Sequence, residues 1–311
     1  MQLLDGKLTS EKIKARIAAE VKTTMLDAGK NTPHLAAVLV GEDPASQTYV
    51  ASKEKDCKEV GFISSIYRYE ASITQRKLLD VIRFLNEDPE VDGFIVQLPL
   101  PKHIDGRVII ESIDPAKDVD GFHPVNVGRM VLNMPSYLPA TPYGIVTLLG
   151  EYGIGTEGKN CVVLGRSNIV GTPVSILLSR KSKTGNATVT LCHSQTQNIR
   201  EIAATADILI VAMGKQGFVT ADMVKKDAVV VDVGIHRIPS SETKSGFRLV
   251  GDVKFDEVAK KCSFITPVPR LFQSFVCSAA AHAPHYSSLS RFRHVYQLRI
   301  LLPSSNQKVK P

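Results

Sequence analysis

The chain has 311 residues, 43% of them hydrophobic and 22% charged, which is typical of a soluble globular protein long enough for two domains. No apolar run reaches the roughly 20 residues that cross a bilayer, and the N-terminus lacks a signal or transit pattern, so we expect a cytoplasmic protein with no membrane partner. Segment 270–311 holds six Lys and Arg and no acidic residue, whereas the rest of the chain holds 32 basic and 31 acidic groups. Nearly all of the net charge of +7 therefore comes from this segment. We therefore expect no nucleic-acid partner.

The cysteines carry no metal-binding or disulfide pattern. The sequence contains five of them, with no C-x-x-C pair: Cys57, Cys161, Cys192, Cys262 and Cys277. Scattered cysteines of this kind indicate free thiols in a reducing compartment. No ligand spacing typical of zinc occurs, so no metal is expected.

The first hundred residues alternate predicted helices with predicted strands. An apolar stripe at helical spacing predicts a helix over residues 10–28, with Ser10 as its N-cap. Strands are predicted at 35–40, 63–69 and 92–98, and further helices at 44–60 and 74–85. This alternation indicates parallel βαβ units.

The segment 102–140 is rich in proline and aspartate, and it is predicted to be mostly loop, with one short helix near 107–112. Long connections of this kind are usually functional. A helix that begins at Thr141 is expected to lead into the second domain. We therefore divide the chain into domains 1–141 and 142–269, followed by a basic tail, 270–311.

The second half again alternates strands and helices. Strands are predicted at 161–164, 187–191, 207–213 and 228–233, with helices at 198–205 and 220–225. Short βαβ units at this spacing describe a Rossmann-like, doubly wound sheet. The predicted fold class is therefore α/β, with two αβα domains.

The stretch from Gly165 to Pro173 combines a strand end, a small-residue turn and a helix start. Such a corner forms an anion site, because free backbone N–H groups and the helix dipole point to the same place. Arg166 adds a guanidinium suited to phosphate. The corner also fits an ordinary packing turn, since it is not a G-x-G-x-x-G motif, and the stretch alone leaves both interpretations open. Glycine, serine or histidine at four predicted strand ends favours a cofactor site.

Two further groups of residues could carry chemistry. Tyr49 and Lys53 are spaced i, i+4 on one predicted helix face, where a partly apolar surrounding would make the lysine a proton carrier. A solvated surface helix is the alternative. Gln97 ends a predicted strand and could orient a neighbouring group or only satisfy local backbone groups. Asp120 could bind an amino-heterocycle or form an Asx-turn over Gly121.

Several long motifs in order give the chain a family resemblance. They are Tyr49-x-x-x-Lys53, Val96–Pro101, Asp118–Asn126, Gly165–Pro173, Thr190–Thr196, Val231–Ile235, Val250–Val253 and Ile265–Pro269. With these motifs, the chain resembles the bifunctional methylenetetrahydrofolate dehydrogenase/methenyltetrahydrofolate cyclohydrolase family over about residues 3–269. The resemblance implies oxidation of 5,10-methylenetetrahydrofolate to the methenyl cation, then hydrolysis to 10-formyltetrahydrofolate. It also implies a homodimer acting on tetrahydrofolate derivatives.

The resemblance assigns roles to individual residues. Lys53 is implied to be the catalytic lysine and Gln97 to set its position, while Tyr49 stacks on the folate. Substrate binding extends to Leu98 and Asp120. The implied dinucleotide contacts are Gly165, Arg166, Ser167, Ser194 and Ile235. Because Arg166 and Ser194 offer a charge and a hydroxyl for a 2′-phosphate, NADP is favoured, with NAD as the alternative.

The pattern departs from the family after Pro269. Relatives continue with a glycine-rich segment, whereas this chain continues with Arg270 and an acid-free tail. The loss of glycines that permit close backbone approach predicts weaker folate binding and lower stability. The alternative hypothesis is therefore a catalytically impaired isoform that acts only as a nucleotide-binding or regulatory protein.

Overall fold

The structure is a computed structural model that describes residues 1–23, 32–241, 243 and 246–268. The expectations for Pro269 and for the tail 270–311, and the end of the helix predicted at 10–28, lie outside these residues. Within the described chain, the predicted α/β architecture is confirmed, with parallel sheets and intervening helices. None of the helices formed by the described residues is long and apolar enough to cross a membrane.

The described residues form helices and strands in the following order. The helices are α1 (Gly6–Val21), α2 (Pro44–Val60), α3 (Gln75–Glu87), α4 (Gly106–Glu111), α5 (Pro124–Val131), α6 (Ala140–Glu151), α7 (Gly171–Ser179), α8 (Ile199–Ala203) and α9 (Phe255–Val258). The strands are β1 (Gln2–Leu3), β2 (His34–Val40), β3 (Ile63–Tyr69), β4 (Gly93–Val96), β5 (Asn160–Leu164), β6 (Thr188–Cys192), β7 (Ile208–Val211), β8 (Val229–Asp232), β9 (His236–Pro239), β10 (Phe247–Val250) and β11 (Phe264–Ile265).

The chain divides into two compact units. The small-sheet unit contains Lys14–Val119 and Pro135–Tyr137. The large-sheet unit contains Met1–Ile13, Asp120–Met134 and the described chain from Leu138 onward. The units are thus built from interleaved segments, and the boundary at 141/142 stays a prediction.

The small-sheet unit is built on three parallel strands in the order β3-β2-β4. Its core joins the sheet to α3 through buried side chains such as Val38, Phe94, Leu78 and Ile82. Helix α2 has strong local end signals, since Asp43 Oδ2 accepts a hydrogen bond from Ser46 N and Gly61 adopts a left-handed φ of 83°. These signals explain why the predicted bounds of α2 match the structure.

The large-sheet unit contains a six-stranded parallel sheet in the order β1-β11-β8-β7-β5-β6. Successive residues of β5 point to opposite faces, so Cys161 and Val163 pack in one core cluster and Val162 and Leu164 in the other. Both faces of this sheet are therefore covered, as parallel sheets require. Strands β9 and β10 form a separate antiparallel pair.

Several details differ from the sequence predictions, among them the helix predicted at 220–225, which is a single 3-10 turn at Ala221–Met223. Ser10 does not cap α1, because Asp5 stands one turn earlier and accepts a hydrogen bond from Leu8 N through Oδ1. Helix α5 lies in the segment predicted to be loop, where His123 Nδ1 accepts from Val125 N. The β9–β10 pair was also not predicted, because its strands lack a continuous apolar run.

Candidate active site

Lys53 is a buried lysine on α2. Lys53 as a whole is only 7% exposed. By contrast, the side chain of Lys55 on the same helix is 77% exposed. The Lys53 Nζ donates to Gln97 Oε1 across 3.4 Å. Burial therefore separates Lys53 from the solvated lysines of α2 and pairs it with an amide from the end of β4.

Gln97 has both ends of its side chain engaged. Its backbone N donates to Val38 O at 2.9 Å, which continues the sheet one residue beyond β4. Its Nε2 donates to Leu98 O at 2.7 Å. The carbonyl oxygen of Leu98 can accept from the side-chain nitrogen of Gln97 but not from its side-chain oxygen. This bond therefore fixes how the amide is turned, with its oxygen toward Lys53.

Tyr49 precedes Lys53 by one turn of α2 and is half-buried. Desolvation by burial raises the pKa of its phenol, so the ring remains neutral at physiological pH. A neutral, partly covered ring next to a lysine provides a stacking surface. The small-sheet unit therefore brings together Tyr49, Lys53, Gln97 and the half-buried Leu98.

Asp120 belongs to the large-sheet unit, where it is half-buried next to Gly121. Gly121 has a positive φ of 70°, as a tight turn requires. The carboxylate of Asp120 is thus held on a short, defined connection that leads into α5.

The turn between β5 and α7 closes by backbone contact that only glycine permits. Gly165 has a φ of 112°, and a Cβ there would lie 2.1 Å from Ala212 O. A Cβ on Gly171 would lie 1.8 Å from Gly165 O. Ser167 Oγ accepts from Val170 N at 3.2 Å and so shapes the start of α7. The result is a narrow cradle at a helix N-terminus, which fits a diphosphate.

The other predicted cofactor residues lie at the same edge of the sheet. Gly165 N donates to Cys192 O at 2.9 Å, which joins the turn after β5 to the turn after β6. Arg166 and Ser194 are exposed in these adjacent turns, and Ile235 is 38% exposed just beyond β8. The carboxyl ends of β5, β6 and β8 thus carry Gly165, Arg166, Ser167, Ser194 and Ile235, where doubly wound sheets bind ligands.

Two buried carboxylates lie behind these turns, and the sequence patterns assigned them no role. Asp232 is 3% exposed and Asp252 is fully buried. Desolvation raises the pKa of Asp232 to about 6, with Asp252 adding repulsion and three backbone N–H groups acting in the opposite direction. The sequence does contain a feature that could have indicated them. One acidic residue ends the apolar strand β8, and a second directly follows Gly251.

The fold and these turns define the protein as a two-unit α/β enzyme with a dinucleotide site. Residues 4–120 match the family model "Tetrahydrofolate dehydrogenase/cyclohydrolase, catalytic domain". Residues 139–272 match "Tetrahydrofolate dehydrogenase/cyclohydrolase, NAD(P)-binding domain". The chain belongs to the tetrahydrofolate dehydrogenase/cyclohydrolase family, as the sequence motifs predicted.

Relatives and solved structures agree with this membership. The bifunctional protein FolD of Porphyromonas gingivalis is 62% identical over 268 residues, covering 86% of this chain and 90% of the relative. The FolD of Cytophaga hutchinsonii is 60% identical over 269 residues, covering 86% and 92%.

Two crystal structures show the same fold. The FolD methylenetetrahydrofolate dehydrogenase/cyclohydrolase of Campylobacter jejuni has a TM-score of 0.83 at 46% identity, covering 90% of this chain and 95% of that one. The Trypanosoma brucei enzyme, solved with NADP and an inhibitor, has a TM-score of 0.84 at 33% identity, covering 96% and 98%.

Proposed function

We propose that this protein oxidises 5,10-methylenetetrahydrofolate to 5,10-methenyltetrahydrofolate with NADP and then hydrolyses the product to 10-formyltetrahydrofolate, in one-carbon metabolism. The dehydrogenase and cyclohydrolase activities are those named for the Campylobacter jejuni structure. The observation that carries the proposal in this chain is the buried Lys53 held against the oriented amide of Gln97.

The hydrolytic step needs a proton carrier next to the one-carbon unit. Water adds its oxygen to the methenyl carbon, and the proton that the water loses leaves by way of Lys53 Nζ. The hydroxyl proton of the adduct then passes to the ring nitrogen as its bond to that carbon breaks, and one proton is released to solvent overall. Gln97 keeps the amine in place, because its own rotation is fixed by Leu98 O.

The remaining folate contacts are assigned by chemistry. The neutral ring of Tyr49 offers a flat surface for the pterin or its one-carbon ring. Leu98 adds an apolar contact next to Gln97. Asp120 presents a carboxylate, which is the acceptor that the amino group of a pterin requires. We assign catalysis to the small-sheet unit, which holds Tyr49, Lys53, Gln97 and Leu98, and nucleotide binding to the large-sheet unit, which also holds Asp120.

NADP is the proposed cofactor, and when bound it supplies the hydride acceptor. The Gly165–Ser167 turn and the start of α7 fit its diphosphate, since a Cβ would fill the space at Gly165 and Gly171. Arg166 and Ser194, on adjacent exposed turns, fit a 2′-phosphate. The structure from Trypanosoma brucei, a relative at 33% identity, contains NADP. NAD is the alternative if Arg166 does not contact the ribose.

Lys53→Met tests the proposed function directly. We expect methenyl hydrolysis to fall by about 10²–10⁴-fold, because a general acid–base group is lost. Nucleotide binding should remain, since it is assigned to the other unit. Lys55→Met is the matched control on the same helix, and it should hydrolyse methenyltetrahydrofolate at the rate of the unaltered protein. A Lys53→Met variant with unchanged hydrolysis would remove the basis of the proposal.

The family resemblance also leads us to propose a cytoplasmic homodimer that acts on tetrahydrofolate derivatives and binds neither nucleic acid nor membrane. Sedimentation of the full chain measures the oligomeric state. Nothing in the comparisons supports the impaired isoform suggested by the tail after Pro269, so the proposal assigns both activities to this chain.

A further inference from the structure

The buried Asp252 bonds the turn that follows β7. Its Oδ2 accepts from Met213 N at 2.8 Å and from Gly214 N at 2.9 Å. Its Oδ1 lies 2.7 Å from His236 Nε2, which donates to it in one tautomer of the ring. One carboxylate thus holds two successive backbone amides and a histidine from β9.

Asp232 extends the same arrangement to the neighbouring turn. Its Oδ1 accepts from Gly234 N at 2.9 Å and from Asp252 N at 3.1 Å, and its Oδ2 accepts from Val253 N at 3.0 Å. Asp232 N in turn donates to Thr266 Oγ1 at 2.8 Å. Asp232, His236, Asp252 and Thr266 form what we call the carboxylate cluster.

The backbone around the cluster is shaped to admit the two carboxylates. A Cβ on Gly234 would lie 2.4 Å from Asp252 Cγ, and a Cβ on Gly251 would lie 1.8 Å from Asp232 Oδ2. Glycine is therefore required at both positions for the carboxylates to reach their amide partners. The contacts are close and specific rather than incidental packing.

The cluster lies directly behind the turns assigned to the nucleotide. Met213 and Gly214 follow Ala212, whose carbonyl oxygen is the atom that a Cβ on Gly165 would strike. Gly234 directly precedes Ile235. In a doubly wound sheet a dinucleotide crosses the carboxyl ends of neighbouring strands, here those of β5, β7 and β8.

We infer that Asp252 is a positioning residue for nucleotide binding, which holds the turns after β7 and β8 in their binding conformation before the nucleotide arrives. The inference rests on the proposed nucleotide site. A turn that is already ordered saves the entropy that binding would otherwise cost, so its loss weakens affinity. Removing the carboxylate would leave the amides of Met213 and Gly214, which lie in a part-buried turn, without this acceptor.

Two substitutions at Asp252 separate positioning from a general packing role. Asp252→Leu removes every acceptor, and we expect the dissociation constant for NADP to rise by about tenfold or more. Asp252→Asn keeps one oxygen for the two amides and offers an N–H to His236, whose ring can accept in its other tautomer. We expect this variant to stay within about threefold of the unaltered protein.

Asp207→Leu is the control within the same unit. Asp207 also accepts from a backbone amide, that of Asn160, but at the opposite end of β5 and β7. We expect its loss to lower stability while the NADP dissociation constant of the folded protein stays within about twofold. Equal weakening by Asp207→Leu and Asp252→Leu would overturn the inference. So would unchanged binding in Asp252→Leu, or an Asp252→Asn variant as weak as Asp252→Leu.

Amide hydrogen exchange on the unaltered protein tests the inference even if Asp252→Leu fails to fold. We expect the amides of Met213 and Gly214 to be protected without nucleotide, and equally protected with NADP. Fast exchange that slows only when NADP is added would contradict a pre-formed turn. Because the first measurement needs no nucleotide, it also distinguishes failure of this inference from failure of the proposed cofactor site.

Discussion

Gly171→Ala is the sharpest test of the β5–α7 corner. Gly171 is the first residue of α7, and an added Cβ would lie 1.8 Å from Gly165 O, 2.6 Å from Gly165 C and 3.1 Å from Arg166 N. All three atoms are backbone, so no side chain can rotate away. To reach even a 3.0 Å contact, the helix or the turn must move by about 1.2 Å, the difference between 3.0 and 1.8 Å.

This displacement should lower both stability and nucleotide affinity. Overpacking of this kind costs about 1–3 kcal/mol, and here the upper part of that range is expected because the clash is with backbone. The movement also displaces the amides of the Gly165–Ser167 turn, so the dissociation constant for NADP should rise by about tenfold or more. Urea unfolding measures the first effect, and titration with NADP measures the second.

Gly150→Ala is the matched control. Gly150 lies in α6 of the same unit, and its Cβ would meet only Thr184 Cγ2, at an ordinary 3.9 Å. Alanine there should stabilise the protein by about 0.5–1 kcal/mol, because it restricts the unfolded chain and favours the helix. If Gly171→Ala proves as stable as Gly150→Ala and binds NADP equally well, the steric reasoning about this corner is refuted.

Three further predictions concern single side chains. Arg166→Ala should raise the Michaelis constant for NADP by about tenfold and leave that for NAD nearly unchanged; equal effects would exclude a 2′-phosphate contact. Lys14→Met should destabilise the protein by about 3 kcal/mol in urea unfolding, because it leaves the buried Asp56, whose Oδ1 lies 2.8 Å from Lys14 Nζ, without this cation. The double variant Lys14→Met/Asp56→Leu should recover most of that loss, and a fully stable single variant would contradict the expectation. Desolvation raises the pKa of Asp232 from 3.8 to about 6, so the folded state holds its proton more tightly than the unfolded state. Its stabilising contribution is therefore complete below about pH 4 and falls by about 3 kcal/mol as pH rises to about 6. Asp232→Asn should lose this part of the pH dependence of unfolding, and identical slopes in the two proteins would refute it.

Local signals made part of the fold predictable from the sequence. Helix α2 has a capping residue and a proline at its start and a glycine directly after its end, and its bounds were predicted correctly. Helix α5 was not predicted, although His123 and Pro124 start it, because proline and aspartate nearby favoured a loop. Strands β1 and β11 have two residues each, and they form because Gln2 pairs with Phe264, which in turn pairs with Val229 of β8. No local pattern reports such a distant pairing.

The same distinction applies to the candidate site. The Gly165–Pro173 stretch was recognisable because strand, turn and helix start follow one another within a few residues. Lys53 and Gln97 are 44 positions apart in the sequence, so their contact could be expected only through the family resemblance. Asp252 bonds amides 38 and 39 residues away, so its buried position became evident only from the structure.

The two units use different means to fix their functional groups, and this makes their contributions separable. In the small-sheet unit, one side-chain amide orients the lysine, so we expect the proposed hydrolytic step to depend on Gln97 and Lys53. In the large-sheet unit, buried carboxylates orient backbone amides that no substitution of an exposed residue removes. Since hydrolysis of the methenyl cation transfers no hydride, Asp252→Leu should impair oxidation at low NADP while hydrolysis of added methenyltetrahydrofolate continues. Lys53→Met should have the opposite effect, because it should lower the rate of hydrolysis more than it weakens NADP binding.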